Sequence, residues 1–214
     1  MSLVKSLSII LPELQPSEEF PTGIDPLIQN EAATIVSRVW KGDRLRRARL
    51  CDLNVPGKFT AETLVIYPNE EYDFPIFGCE YLRIGEKKFF GGIDFHPIST
   101  NRDYAKDYLA DLPDTTKTHS KFYDLSEFFS SKFWIEKKDA DFYDEYLHLA
   151  NHYLNAYKLC VKEAKPIAAT SLFSQKRYDF HMAANDPARG ILKAYFSADF
   201  AEQYIHKFLF DKSE

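Results

Sequence analysis

FTAETLVIYPNEEYDFPIFGCEYLRIGEKKFFGGIDFH, residues Phe59–His96, holds three strand-length runs in a row. Phe59–Tyr67 carries Thr60, Thr63, Val65 and Ile66; Ile76–Ile84 and Lys88–His96 follow, with Pro68-Asn69 and Gly85-Glu86 among the separators. Such short links allow antiparallel pairing only, because parallel strands need a crossover of roughly a dozen residues. Upstream, Arg44–Asn54 and Ala33–Trp40 read as two more strands, set off by Pro56-Gly57 and Lys41-Gly42-Asp43. Asp25-Pro26 combines a cap residue with proline at the first helical position and predicts a short helix. Residues 1–23, rich in Pro, Glu and Ser, read as a loosely ordered lead-in. Downstream, Ser131–Glu136 (SKFWIE) is a further strand candidate. The period then changes: Phe142, Tyr146, Leu149, Tyr153, Tyr157 and Cys160 recur at steps of three and four. That spacing predicts an amphipathic helix over Ala140–Lys162, stopped by Pro166. Pro187–Phe210 reads as helical with a break near Ser197. Strands first and helices later indicate a single α+β domain over residues 1–214, with helices packed on an antiparallel sheet.

Composition narrows the function. The 214 residues are 45% hydrophobic, which allows a sizeable core. The 18 Phe and 13 Tyr fit either a large core or a pocket for a flat conjugated ligand. A net charge of −5 argues against general nucleic-acid binding. No apolar run approaches the ~18 residues of a membrane span, and the opening MSLVKSLSIILPEL lacks the apolar stretch and cleavage site of a signal peptide. Cys51, Cys79 and Cys160 are widely spaced and read as reduced, partly buried thiols, so a cytoplasmic protein is expected, and a monomer with it as a separate expectation.

The common cofactor motifs do not occur: no G-x-G-x-x-G, no Walker A loop and no G-x-S-x-G elbow. Gly91-Gly92 reads as a bulge or a close backbone approach within a strand. His148 and His152 share a helix face, but no third metal ligand accompanies them. No bound nucleotide or metal cofactor is expected.

Five short motifs carry a resemblance. YPNEEYDFPIFGCEYL (Tyr67–Leu82), IDFHP (Ile93–Pro97), Phe129-Ser130, NDPARG (Asn185–Gly190) and HKFLF (His206–Phe210) occur in that order. Together they resemble the ferredoxin-dependent bilin reductases, whose pattern runs aromatic-proline, LP-x-FG-x-D, LDFxP, Phe-Ser, DP-x-RG and FLF. WKGDRLRRARLCDLN (Trp40–Asn54) is similar to members that convert biliverdin to dihydrobiliverdin. The resemblance runs from about residue 33 to the end. It implies a three-layer α/β/α sandwich with a central antiparallel sheet and a bilin between the sheet and the C-terminal helices. It also implies that reduced ferredoxin supplies single electrons, with no flavin or metal bound, while protein groups supply protons.

Within that resemblance Glu80 stands where the family has a catalytic aspartate, and Asp186 matches the aspartate of DP-x-RG. A buried carboxylic acid with a raised pKa can protonate a reduced bilin near neutral pH. Asp186, before Pro187, is also a natural helix cap. Glu80 is longer than the family's aspartate; the related red chlorophyll catabolite reductases carry glutamate there, which leaves the product open. Glu136 stands near a family arginine, so a substrate carboxylate would need another base, with Lys132, Lys137 and Arg189 as candidates. Thr63 occupies a position that faces the bilin and can hydrogen-bond a lactam oxygen; Ser130 completes the substrate-binding set. Asp94 and His96 flank Phe95 on one strand face and are assigned to ligand or solvent without a catalytic role. Lys41, Arg44, Arg46, Arg47 and Arg49 form a basic cluster suited either to docking acidic ferredoxin or to a charged sheet edge. The expected activity is reduction of biliverdin at the 15,16 bridge to 15,16-dihydrobiliverdin, stopping there or continuing to phycoerythrobilin. The alternatives are a non-catalytic bilin carrier and a reductase of a chlorophyll catabolite.

Overall fold

The computed structural model describes residues 3, 7, 11, 14–17, 19–99, 102–115 and 128–213. Among the described residues eight strands form one antiparallel sheet: β1 (Gln15–Ser17), β2 (Leu27–Gln29), β3 (Thr34–Lys41), β4 (Leu45–Val55), β5 (Phe59–Pro68), β6 (Ile76–Ile84), β7 (Lys88–His96) and β8 (Trp134–Asp139). The order is β1-β3-β4-β5-β6-β7-β8, with β2 sharing the β3 edge. Short turns join β3 through β7 as a meander, as the separators require. SKFWIE does contribute a strand, shifted towards its C-terminal end as β8.

Asp25-Pro26 opens no helix. The Pro26 carbonyl accepts from Ser37 N–H at 2.7 Å, and Leu27–Gln29 pairs with β3. An available sheet edge outweighs a local capping preference worth only about 1 kcal/mol.

Helices cover both faces, giving the three layers. On one side lie α1 (Tyr104–Tyr108) and α2 (Tyr143–Glu163), the latter entered by a 3-10 turn at Ala140–Phe142. Of the predicted stripe, Tyr146, Tyr153, Tyr157 and Cys160 are buried while Phe142 and Leu149 are partly so, and these three tyrosines place their hydroxyls on carbonyls. Tyr146 Oη donates to Glu80 O at 2.7 Å and Tyr157 Oη to Ile66 O at 3.4 Å. Each ring therefore fills core volume while its polar tip stays paired. Of residues 1–23, Leu3, Leu7, Leu11 and Leu14 lie in this same core; the remaining lead-in positions before residue 14 lie outside the described residues.

On the other side lie α3 (Leu172–Asn185), α4 (Ala188–Tyr195), α5 (Ala198–Gln203) and a π-helical turn, Tyr204–Leu209. The helical reading of Pro187–Phe210 holds, and the break falls at Phe196-Ser197, where Ser197 caps α5 through Phe200 N–H at 3.0 Å. Stacked rings of Phe200, Tyr204 and Phe208 run down this segment, with centroids 5.4 and 5.0 Å apart.

Gly91-Gly92 marks a close approach rather than a bulge, since the β6–β7–β8 registers run through it unbroken. A Cβ at Gly91 would lie 2.8 Å from the Phe89 ring and 2.9 Å from the Tyr146 ring. Gly91→Ala is therefore expected to destabilise the protein by about 1–3 kcal/mol through overpacking. Denaturant unfolding checks this; a midpoint equal to the parent protein's would show that the two rings yield freely.

Candidate functional site

Strand alternation builds the site. On β5, Leu64 and Ile66 enter the α2-side core, so Val65, Thr63 and Ala61 face α3 and α4. The ladder registers then align Ser37, Cys51, Thr63, Glu80, Gly92 and Ile135 as one row straight across β3 to β8. Above this row lies an apolar cavity of about 360 Å³, closed on its far side by Tyr178 and Met182 of α3, by Asp186, and by Ile191 and Leu192 of α4. That volume falls in the range of small-molecule sites. Glu80 and Thr63 thus form part of the floor, and Asp186 belongs to the roof. Gly92 leaves space beside Glu80: a Cβ there would lie 3.5 Å from Glu80 Oε1.

Asp186 ends α3, and its Oδ1 accepts from the N–H of Ala188, the first residue of α4, at 2.7 Å. Burial raises its pKa; the Ala188 N–H and the charges of Arg49 and Arg189 offset this only in part.

The other sequence candidates divide. Lys137 reaches the cavity from β8, whereas Glu136 alternates to the opposite sheet face and pairs with Lys138 at 3.5 Å. Lys132 is not a lining residue: its ammonium binds Leu112 O and lies 2.9 Å from Asp114. Arg189 also points elsewhere, pairing with Glu202 and donating to Ala183 O. Ser130 does not line the cavity either; it is buried behind Asp94, to which it donates both its N–H (2.9 Å) and its Oγ–H (2.5 Å). His148 and His152 are exposed on α2, His152 facing Asp111 at 3.1 Å, and among the described residues no group of three metal-type ligands occurs. All three cysteines are free and buried.

Two residues left without a catalytic role become part of the wall. Asp94 and His96 are buried on the cavity side of β7. His96 Nδ1 lies 3.0 Å from Phe128 O and 3.4 Å from Asp94 Oδ2. A carbonyl only accepts, so Nδ1 carries the proton and the neutral ring's acceptor is Nε2. Burial lowers the His96 pKa, with Asp94 opposing, and burial raises that of Asp94, with His96 and Ser130 opposing. Gly78 is what lets this ring fit: a Cβ there would sit 2.5 Å from His96 Nε2.

The four arginines of the basic cluster form an internal brace, whereas Lys41 is exposed and pairs with Glu19. Arg44 binds the carbonyls of Val161, Lys162 and Ala164 at the end of α2. Arg46 binds Asp211 at 2.6 Å, Arg47 binds Phe208 O at 2.7 Å, and Arg49 binds Leu209 O at 3.0 Å. Burial raises the Asp211 carboxyl, but Arg47 and Arg46 outweigh it and hold it below its ordinary value. Arg49 also lines the cavity, and its buried Nη1 has no hydrogen-bond partner among the described residues. Sequence reasoning placed it in the basic cluster and not in the cavity lining, although its alternation with Cys51 and Leu53 was a usable signal.

A family model described as ferredoxin-dependent bilin reductase matches residues 17–211. Among curated relatives, 15,16-dihydrobiliverdin:ferredoxin oxidoreductase of Nostoc punctiforme is 29% identical, over 91% of this chain and 87% of that protein. Phycoerythrobilin:ferredoxin oxidoreductase of Gloeobacter violaceus is also 29% identical, over 87% of this chain and 82% of that one. The crystal structure of tomato phytochromobilin synthase in complex with biliverdin has the same fold, with a TM-score of 0.78 at 18% identity over 99% of this chain and 84% of that one.

Arg47→Ala is expected to lower stability by about 2 kcal/mol, because it removes the donor to the Phe208 carbonyl and leaves Asp211 with Arg46 alone. Denaturant unfolding distinguishes this from an exposed docking charge, whose removal would stay within about 0.5 kcal/mol.

Proposed function

The chain belongs to the ferredoxin-dependent bilin reductases, and on that premise we propose that it reduces biliverdin at the 15,16 bridge to 15,16-dihydrobiliverdin. Two reduced ferredoxins each give one electron, and two protons complete new C–H bonds at C15 and C16. No flavin or metal is bound. The observation that carries this reading is the placement of two acids, Glu80 and Asp186, on opposite walls of one apolar cavity. The names of the relatives from Nostoc and Gloeobacter support the substrate class.

In this reading the bilin lies flat between the sheet floor and the helix roof. Thr63 donates to a lactam oxygen. Arg49 and Lys137 bind the propionates; Lys137 is one of the three bases expected for this role, and Arg49 stands in for Lys132 and Arg189, which are paired elsewhere. One electron added to the bilin raises the basicity of its carbons and nitrogens. Glu80 protonates the radical from below, and Asp186 serves a second position from above. The second acid favours onward reduction to phycoerythrobilin as the next outcome to look for.

Adding biliverdin is expected to give a shifted absorption spectrum that bleaches only when reduced ferredoxin is supplied, with the product identified by chromatography. A stable complex that never bleaches would leave a carrier, and no spectral change would refute the bilin reading. Asp186→Asn is expected to fold, since asparagine also caps helices, and to bind biliverdin with altered or lost turnover. The raised pKa of Asp186 keeps the proton-donor form present at higher pH than for an ordinary aspartate. Turnover should therefore fall as pH rises through that pKa, and the residual rate of Asp186→Asn should lack this limb. Wild-type turnover and pH profile in the variant would remove Asp186 from the chemistry.

A further inference from the structure

Each two-electron reduction consumes two protons inside an apolar cavity, so the acids that deliver them must be reloaded. This inference rests on the function proposed above. Behind the cavity wall lies a second cavity of about 400 Å³, lined by Ser130, Ser131 and Phe129 and reaching the exposed residues Arg102 and Asp103. Only one hydrogen-bonded step separates the two spaces. Ser130 lines the outer cavity, Asp94 lines the inner one, and Ser130 Oγ donates to Asp94 Oδ1 at 2.5 Å.

We infer that Ser130 and Asp94 form the proton-entry path of this enzyme, carrying protons from the outer cavity to Glu80. The serine hydroxyl has one proton and two lone pairs. Its proton goes to Asp94, and one lone pair accepts from Lys132 N–H at 3.1 Å. The remaining lone pair is open to a water of the outer cavity. As that water gives a proton to Oγ, the Oγ proton passes to Asp94, so one proton moves inward and no electron moves. Asp94 then faces Glu80 diagonally across β6 and β7: Glu80 pairs with Gly92, two residues before Asp94 on the same face. Such diagonal neighbours have Cβ atoms about 7 Å apart, a gap that one bridging water spans.

The surroundings suit a transient proton carrier. The groups facing Asp94 and its neighbour His96 are Ser130, the Phe128 carbonyl, the Phe129 ring and the Tyr178 ring. Burial raises the Asp94 pKa, with His96 and Ser130 opposing. His96, held by Phe128 O through Nδ1, keeps Asp94 in place.

The test follows the bilin radical after ferredoxin reduction in Ser130→Ala, Ser130→Thr and the parent protein, with the biliverdin complex spectrum as a check of fold and binding. The alanine variant should bind biliverdin and accept the first electron as the parent does. Its radical should then decay about 100-fold more slowly, the lower end of what a positioned proton carrier contributes. Threonine, which keeps the hydroxyl, should restore the rate. Added imidazole, small enough for the outer cavity, should rescue alanine and leave the parent unchanged. Radical decay at the parent rate in Ser130→Ala would overturn the path, as would slow decay that neither threonine nor imidazole rescues. If the parent protein itself does not reduce bilin, the proposed function fails and the path with it; an unaltered parent reaction beside an unaffected alanine variant refutes the path alone.

Discussion

The register of β6 between β5 and β7 is the constraint on which the site depends. Strand side chains alternate with a period of two, so a slip of one residue would turn Glu80 into the α2 core and bring Cys79 or Tyr81 to the cavity floor. Phe77 and Cys79 pin the register on the one side, buried in the core beneath α2. On the other side, Gly78 admits the His96 ring at a spacing that no other residue would allow. Packing on one face therefore determines which chemical groups stand on the other.

The roof is fixed by a different kind of interaction. The last residues of the chain carry few strand-like contacts and are held instead by arginines of β4, which reach the Phe208 and Leu209 carbonyls and Asp211. Aromatic faces take part: Arg47 lies 5.1 Å from the Phe208 ring centroid and Arg49 lies 5.3 Å from that of Phe210. One strand thus contributes both the brace that closes the cavity and, through Arg49, a cation inside it. Asp179 belongs to the same clasp. It accepts from Tyr67 Oη at 2.8 Å and from Lys212 N–H at 3.0 Å, and burial pushes its carboxyl up to about 6.

Much of this was legible in the residues. The bounds of β6 and β7, the tyrosine stripe of α2 and the break at Ser197 follow from alternation, helical spacing and capping, all local signals. Helix α3 was not legible, because its inner face is Gln175, Tyr178, Asp179 and Ala183, whose polar atoms bind the Pro68 carbonyl, Tyr67 and Lys212. Such a face has no apolar period to detect. The four-residue spacing of Leu3, Leu7 and Leu11 was a signal masked by the polar composition around it. For the site, the motifs located Glu80 and Asp186 and the strand position located Thr63, and the structure brings all three to one cavity. Lys132, Arg189 and Ser130 were chosen for charge or motif alone, and burial behind the wall or pairing elsewhere is a tertiary fact that neither reveals.

The central claim is that Glu80, on the cavity floor, gives its proton to a bilin radical. Electron resonance of the Glu80→Gln protein, frozen after mixing with biliverdin and reduced ferredoxin, tests it most directly. Glutamine keeps the size and polarity of the side chain but cannot supply a carboxylic proton, while the electron arrives independently. The account predicts a strong, long-lived organic-radical signal with little product, and partial recovery in Glu80→Asp, whose shorter reach displaces the donor by about 1 Å. Rapid loss of the radical and normal product formation in Glu80→Gln would contradict it.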